Sequence, residues 1–157
     1  VVRAATEADV DRLVGWHADP EVARFWDDKT FTREQILDRL RRESVDAYIV
    51  EAEGEPVGYL QAWWDGDDRC RRVGGLDMFL VPSARGRGLG PDAARTLAVH
   101  LVGEQRCESL TVDPYLWNEH AIRAWRKAGF RRVGEREPDA DHPARRLLMA
   151  FRPEPPT

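Results

Sequence analysis

The sequence predicts an α/β fold of mixed, α+β-like character: a central mixed sheet of about seven strands flanked by about four helices, in three layers. Three observations predict it. Strand-type and helix-type periodicities follow one another in the order β-α-α-β-β-β-α-β-α-β-β. A glycine-rich loop joins a buried apolar strand to a helix with one clear apolar face. The length of 157 residues, 42% of them hydrophobic, suits one domain with its own core. We expect a single domain over residues 1–152 and a disordered tail over 153–157, where three of five residues are proline.

The elements follow in order. Val1–Ala4 suits an edge strand. Thr6 with Asp9 forms a capping-box pattern ahead of Val10, Leu13 and Val14, and that helix ends before Asp19-Pro20. A short second helix runs from Pro20 to Phe25. Thr32 with Gln35 opens a third, whose apolar face is Ile36, Leu37 and Leu40. Ala47–Ala52 and Pro56–Trp63 are strands joined by the turn Glu53-Gly54-Glu55. Asp65–Arg72 is a polar loop. Gly75–Val81 is a buried strand carrying one acid, Asp77. After the glycine-rich loop, Ala93, Ala94, Leu97, Ala98 and Leu101 mark a helix face. Leu110–Val112 is a short strand, and Asn118–Ala128 is a helix stopped by Gly129. Phe130–Val133 and Arg146–Phe151 close the chain as an antiparallel pair around the Pro138–Pro143 loop.

Charge narrows the function. Of 24 basic residues only Lys29 and Lys127 are lysines, and 28 acids leave a net charge of −4. A nucleic-acid binder would show a basic excess, so none is expected as a partner. Arginine suits planar and phosphate partners better than lysine does, so the arginines call for local explanations. Cys70 and Cys107 are too few for a disulfide framework. His17, His100, His120 and His142 show no ligand spacing, and no metal is assigned. The longest apolar run, Leu147–Phe151, is far short of the ~20 residues that span a bilayer. The expectation is a cytoplasmic protein, monomer or homodimer, with no membrane partner.

The loop Arg85-Gly86-Arg87-Gly88-Leu89-Gly90 carries the chemistry. Closely spaced glycines let backbone N–H groups converge on one concavity. Pro91 fits a first helical turn, where its missing N–H would be unpaired anyway. The helix N-terminus adds partial positive charge. Arg85 and Arg87 can add charge-assisted hydrogen bonds. Together these make a pyrophosphate cradle. A Walker loop would end in Gly-Lys-Ser/Thr, and a dinucleotide fingerprint would read Gly-x-Gly-x-x-Gly near a first βα unit. Neither pattern is present.

On these residues the sequence resembles the GNAT superfamily of N-acetyltransferases. That family's acetyl-CoA loop reads Arg/Gln-x-x-Gly-x-Gly/Ala, matched by Arg85, Gly88 and Gly90. The stretch Asn118-Glu-His-Ala-Ile-Arg-Ala-Trp-Arg-Lys-Ala-Gly-Phe130 is similar to its second CoA motif. The resemblance implies acetyl-CoA as co-substrate, with Phe79, Leu80 and Val81 pairing with its pantetheine arm through backbone. It puts Gly86, Arg87 and Leu89 on the phosphates with the three matched residues, and Asn118 and Trp125 near the thiol. The aminoglycoside 6′-N-acetyltransferase branch is the nearer likeness. Tyr48–Gln61 reads Tyr-Ile-x-x-x-x-Gly-x-Pro-Val-Gly-Tyr-x-Gln, Gly75–Leu80 reads Gly-Leu-Asp-Met-Phe-Leu, and Phe25-Trp26 stands where that branch has Trp-Trp. The hydroxylysine-siderophore acetyltransferases share parts of this pattern.

Such a reaction needs a proton acceptor, because an alkyl amine has a pKa of ~10. Asp77 is the only carboxylate in an otherwise apolar strand, and the resemblance puts the matching acid on the substrate amine. It could remove the proton through water, or have its pKa raised by burial. Trp125 departs from the family, which has Tyr there as acid for the leaving thiolate. An indole N–H donates a hydrogen bond but is no ordinary proton donor. The acid is then absent, is water, or is displaced to Tyr115. On the acceptor side, Trp26, Asp27 and Asp28, and Asp65, Asp67 and Asp68, would rim a pocket favouring a cationic amine. Arg69, Arg71 and Arg72 partly neutralise the second group.

The expected activity is direct acetyl transfer to a primary amine of a small, aminoglycoside-like cation in a ternary complex. The alternatives are a siderophore or protein amine as acceptor, or a non-catalytic acyl-CoA-binding module.

Overall fold

The computed structural model describes residues 1–66, 72–105 and 107–152. Seven strands form one sheet: β1 (Val2–Ala4), β2 (Val45–Ala52), β3 (Glu55–Asp65), β4 (Arg72–Leu80), β5 (Cys107–Val112), β6 (Phe130–Arg136) and β7 (Arg146–Phe151). Their order is β1-β2-β3-β4-β5-β7-β6. Only β4 and β5 run parallel among these pairs. The helices are α1 (Val10–Ala18), α2 (Pro20–Ala23), α3 (Arg33–Arg41), α4 (Leu89–Gly103) and α5 (Glu119–Ala128). The expected mixed fold is present, with the one-turn α2 as a fifth helix.

Local chemistry sets the boundaries. Thr32 and Gln35 close a reciprocal capping box at the start of α3, with the Thr32 N–H donating to Gln35 Oε1 at 2.9 Å. The Thr6–Asp9 pattern instead caps a 3-10 turn at Glu7–Asp9 that leads into α1. There Asp9 accepts from Thr6 N–H and from both Arg3 terminal nitrogens, each at 2.9 Å. The β2–β3 hairpin turns through Glu53 and Gly54, both in the left-handed region that a two-residue loop of this hand requires.

The strands β2 to β6 all run longer than expected, β5 doubling to Cys107–Val112. β4 begins at Arg72, because Val73–Gly75 pair with β3 on one side and with Ser109–Thr111 on the other. β6 continues past Gly134 to Arg136, because a register shift between Arg132 and Gly134 lets pairing with β7 resume. The polar loop expected at Asp65–Arg72 is strand at both ends. Its acids Asp67 and Asp68 and its Arg69 and Arg71 lie outside the described residues, as does the tail 153–157.

The strands alternate between two cores. On one face Ile49, Tyr59 and Phe79 pack with Val10, Leu13 and Ile36 of α1 and α3. On the other, Val50, Leu60 and Leu76 pack with Ala94, Leu97 and Leu101 of α4 and Trp125 of α5. Truncating a fully buried leucine such as Leu60 should cost about 2–5 kcal/mol. The β4–β5 ladder stops at Gly75↔Thr111, and from Leu76 onward β4 has no pairing with β5. That gap positions the site.

Candidate active site

The first cavity, about 300 Å³, lies between the end of β4, the start of α4 and α5. Gly86 and Gly88 line it in left-handed backbone, with φ of 76° and 75°, and an added Cβ at either would meet no protein atom within 4 Å. Gly90 lets the first turn of α4 sit close to β4, since an added Cβ would stand 3.3 Å from Met78. Basic Arg85, Arg123 and Lys127 line one part of the cavity, and apolar Met78, Ala121 and Trp125 another. This lining suits a long ligand with an anionic head and a neutral arm.

Nine of the expected cofactor residues line this cavity together: Phe79, Leu80, Arg85, Gly86, Gly88, Leu89, Gly90, Asn118 and Trp125. Val81 and Arg87 do not. The Val81 N–H bonds Val57 O, and its carbonyl accepts from Ala84 N–H, so both its backbone groups are already used. Arg85 braces the walls. Its Nε and Nη2 donate to the carbonyls of Leu80 and Glu21, and it lies over the Phe25 ring at 5.5 Å. Asn118 caps α5 by accepting from Ala121 N–H at 3.1 Å. Trp125 is both core and wall: it is 7% exposed and packs edge-on to Phe130 at 5.3 Å.

The second cavity, about 330 Å³, is lined by Trp26, Asp27, Phe31, Arg39 and Gln61 among others, with Lys29 and Arg42 also on its wall. Asp77 itself lines neither cavity but has a neighbour in each. Its neighbour Met78 lines the first, and its hydrogen-bond partner Gln61 lines the second. The period of the strand turns Asp77 toward the α1–α3 face, level with Gln61 across the β3–β4 pair. Gln61 Nε2 donates to Asp77 Oδ2 at 2.9 Å, and Tyr59 OH donates to Gln61 Oε1 at 2.7 Å.

Burial pushes the Asp77 carboxyl up to about 6. The charges of Asp113 and Asp27 add to the rise, while the Gln61 amide and Arg39 guanidinium oppose it. A carboxylate near 6 is ionised at neutral pH yet basic enough to accept a proton from an amine.

The other acceptor-side residues separate. Trp26 packs on Tyr59 and Phe79, so it is part of the aromatic core as well as the wall. Asp27 is exposed, in left-handed backbone, and accepts from Tyr115 OH at 2.7 Å. Asp65 ends β3 opposite Val73 and lines neither cavity. Burial, and the hydrogen bond to Asp27, push the Tyr115 phenol above its ordinary range, which makes it a weaker acid.

Sequence reasoning missed Phe25, Arg123 and Lys127 on the first cavity and Arg39, Gln61 and Asp113 around Asp77. The i,i+4 spacing of Arg123 and Lys127 was the available signal on α5. Asp113 is positioned by Arg146, a buried arginine that bonds Asp113 at 2.6 Å and Asp139 at 2.9 Å.

A parallel pair that parts beside a glycine-rich helix start, with a buried carboxylate two residues past the last paired position, defines an acyl-transfer site on this fold. Residues 5–137 match the acetyltransferase (GNAT) domain family, and the chain belongs to that family. It is 31% identical over 150 residues to aminoglycoside N(6′)-acetyltransferase type 1 of Klebsiella pneumoniae, covering 85% of this chain and 74% of that protein. A solved aminoglycoside acetyltransferase, AAC(6′)-Ib in complex with coenzyme A and kanamycin, matches with TM-score 0.78 and 29% identity over 96% of this chain and 92% of that one. The spermine/spermidine N(1)-acetyltransferase of Bacillus subtilis is 33% identical over 88 residues, 53% of this chain and 57% of that protein. No helix of the described residues is long and apolar enough to cross a membrane.

Proposed function

We propose that the enzyme transfers acetyl from acetyl-CoA to a primary amine of a small cationic, aminoglycoside-like acceptor, as a 6′-N-acetyltransferase, within a ternary complex. The observation that carries this is the place of Asp77, next to Met78 of a basic, glycine-lined cavity and bonded to Gln61 of a second cavity with aromatic, acidic and basic walls. Both substrates then meet at one carboxylate, which direct attack requires.

Acetyl-CoA supplies an activated thioester. Gly86, Gly88 and the start of α4 offer N–H groups to its phosphates, with Arg123 and Lys127 adding charge. The stretch of β4 from Leu76, paired with β3 but not with β5, leaves one backbone edge for its extended arm. Asp77 holds the acceptor ammonium and takes its proton, directly or through water. The acids Asp27 and Asp113 around Asp77 favour a cation there. The leaving thiolate resembles a cysteine thiolate of pKa ~8.5, so its departure needs little acid catalysis. Trp125 takes no part as an acid. The aminoglycoside acceptor follows from the relatives named above, and with it a role in antibiotic resistance. A cytoplasmic location, in keeping with the free, buried Cys107, and no nucleic-acid or membrane partner complete the reading.

Thiol release from acetyl-CoA with a panel of amines tests the proposal. Kanamycin-type amines should be turned over and lysine derivatives should not. Asp77→Asn should cut the rate about 10²–10⁴-fold with acetyl-CoA affinity unchanged. Turnover of lysine derivatives alone would instead select the siderophore or protein amine class, and turnover of spermine alone a polyamine acceptor, favoured by the Bacillus subtilis relative. Tight CoA binding with no turnover of any amine would select the non-catalytic module, which Trp125 favours.

A further inference from the structure

Two large aromatic side chains face solvent at the first cavity: Trp117 is 50% exposed, and Phe25, on the cavity wall, is 39% exposed. Exposed rings that touch one another form a patch rather than stray surface residues. Trp117 stacks on Tyr115, with centroids 5.6 Å apart and planes at 12°, and meets the Phe25 ring at 6.2 Å. Tyr115 in turn donates to Asp27 Oδ1 at 2.7 Å. These contacts join two layers of the fold. Trp26, between Phe25 and Asp27, packs against the α1–α3 core, and Leu116, between Tyr115 and Trp117, packs against the α4–α5 core.

The two sides are held unequally. Leu116 N–H donates to Arg145 O at 3.0 Å, and Pro114 O accepts from Leu147 N–H at 2.8 Å, so the segment after β5 is tied to the start of β7. Among the described residues, the backbone–backbone bonds of residues 25–29 all stay within residues 22–29. Asp27 and Asp28 lie there in left-handed backbone, with φ of 55° and 53°. Residues other than glycine keep that backbone only where surrounding contacts fix it. The side chains of Tyr115 and Trp117 supply such contacts from the better-anchored side.

We propose that Trp117 is a positioning residue for both cavities: it holds Phe25 on the wall of the first and, through Tyr115, Asp27 on the wall of the second. This rests on the reading of these cavities as the cofactor and acceptor sites. The Arg85 guanidinium also lies over the Phe25 ring, at 5.5 Å, so the ring that Trp117 fixes is one on which the glycine-rich loop packs. A wall already in place spares each ligand the cost of ordering it. Asp77 has its own partner in Gln61, so the effect of Trp117 falls on binding rather than on the chemical step.

The test uses the full chain, with calorimetry for acetyl-CoA, steady-state kinetics with kanamycin, and circular dichroism to check folding. Trp117→Ser should weaken acetyl-CoA binding and raise KM for kanamycin, each about two- to tenfold, the range that an aromatic pair supplies. Its kcat should stay within about twofold of wild type. Trp117→Phe should recover most of both losses, because a ring again meets Phe25. In a Phe25→Leu background, Trp117→Ser should cost acetyl-CoA binding little more, since the two rings act together. Unaltered acetyl-CoA affinity in Trp117→Ser overturns the proposal, and so does an unmoved KM for kanamycin. A loss that persists in full in the Phe25→Leu background also overturns it, and routes the effect through neighbouring Asn118. If Trp117→Ser does not fold, Trp117→Leu is judged by the same results. If the wild type turns over no kanamycin, the aminoglycoside reading falls alone. The amine that is turned over then replaces kanamycin, and with none the acetyl-CoA affinities decide the role of Trp117.

Discussion

Gln61 and Asp77 are register partners on β3 and β4, and the amide of one holds an oxygen of the other at 2.9 Å. A polar pair across two otherwise apolar strand stretches fixes the position of the carboxylate. Losing the amide removes a donor to the charged form, so the Asp77 carboxyl rises above about 6 and is ionised only at higher pH. A charge-assisted bond of about 1.5–3 kcal/mol corresponds to about one to two pH units. Wild-type kcat/KM should therefore fall on the acid side near pH 6, and Gln61→Leu should move that limb up by about one unit. The measurement is kcat/KM against pH, and a limb that stays in place removes the amide from the mechanism.

Gly88 caps α4 with a φ of 75°. Valine there strains the backbone and fills space that is open in the free protein. Gly88→Val should weaken acetyl-CoA binding about tenfold or more, about 1.4 kcal/mol, by isothermal calorimetry. Unaltered affinity would mean that the loop is not the phosphate cradle.

The Tyr115 hydroxyl is committed to Asp27, 88 positions earlier in the chain, and its acidity is weakened. Tyr115→Phe should raise KM for the amine acceptor severalfold, because Asp27 loses its partner at the mouth of the second cavity. The basic limb of the kcat profile should stay where it is. A basic limb that vanishes would instead make Tyr115 the acid for the thiolate.

Burial, with the Arg39 charge second, pushes the His17 imidazole down to about 3 from the ordinary 6.5. The unfolded chain takes up this proton below about 6.5 and the folded one does not until about 3. The stability due to His17 is thus full above 6.5 and drains as pH falls through that window, by at most about 1.4 kcal/mol per unit. Urea midpoints of His17→Leu should decline less between pH 6.5 and 4 than those of wild type. Parallel declines would mean that His17 takes a proton in the folded state.

The fold was legible because its signals are local. Capping at Thr32, the hairpin turn at Gly54 and the face of α4 each act over a few residues. Element ends were harder, since Val73 and Gly134 are strand only through partners far along the chain. The same split runs through the site. Gly86, Gly88 and Asp77 declare themselves by type and spacing. Arg39, Gln61 and Asp113 do not, because an arginine on a helix and a glutamine on a strand are ordinary until tertiary packing buries them beside one carboxylate. Val81 differs from Leu80 for a related reason: it sits one residue beyond the end of β4, where Val57 takes its N–H.

The two lysines of the sequence fall one to a cavity, Lys127 on the wall of the first and Lys29 on the wall of the second. Arginine carries the rest of the basic charge, and guanidinium groups ignore amine-directed reagents. The protein thus has a built-in pair of footprinting reporters: protection of Lys127 from such a reagent reads occupancy of one chamber, protection of Lys29 reads the other, and the order in which the two are shielded reveals which substrate enters first.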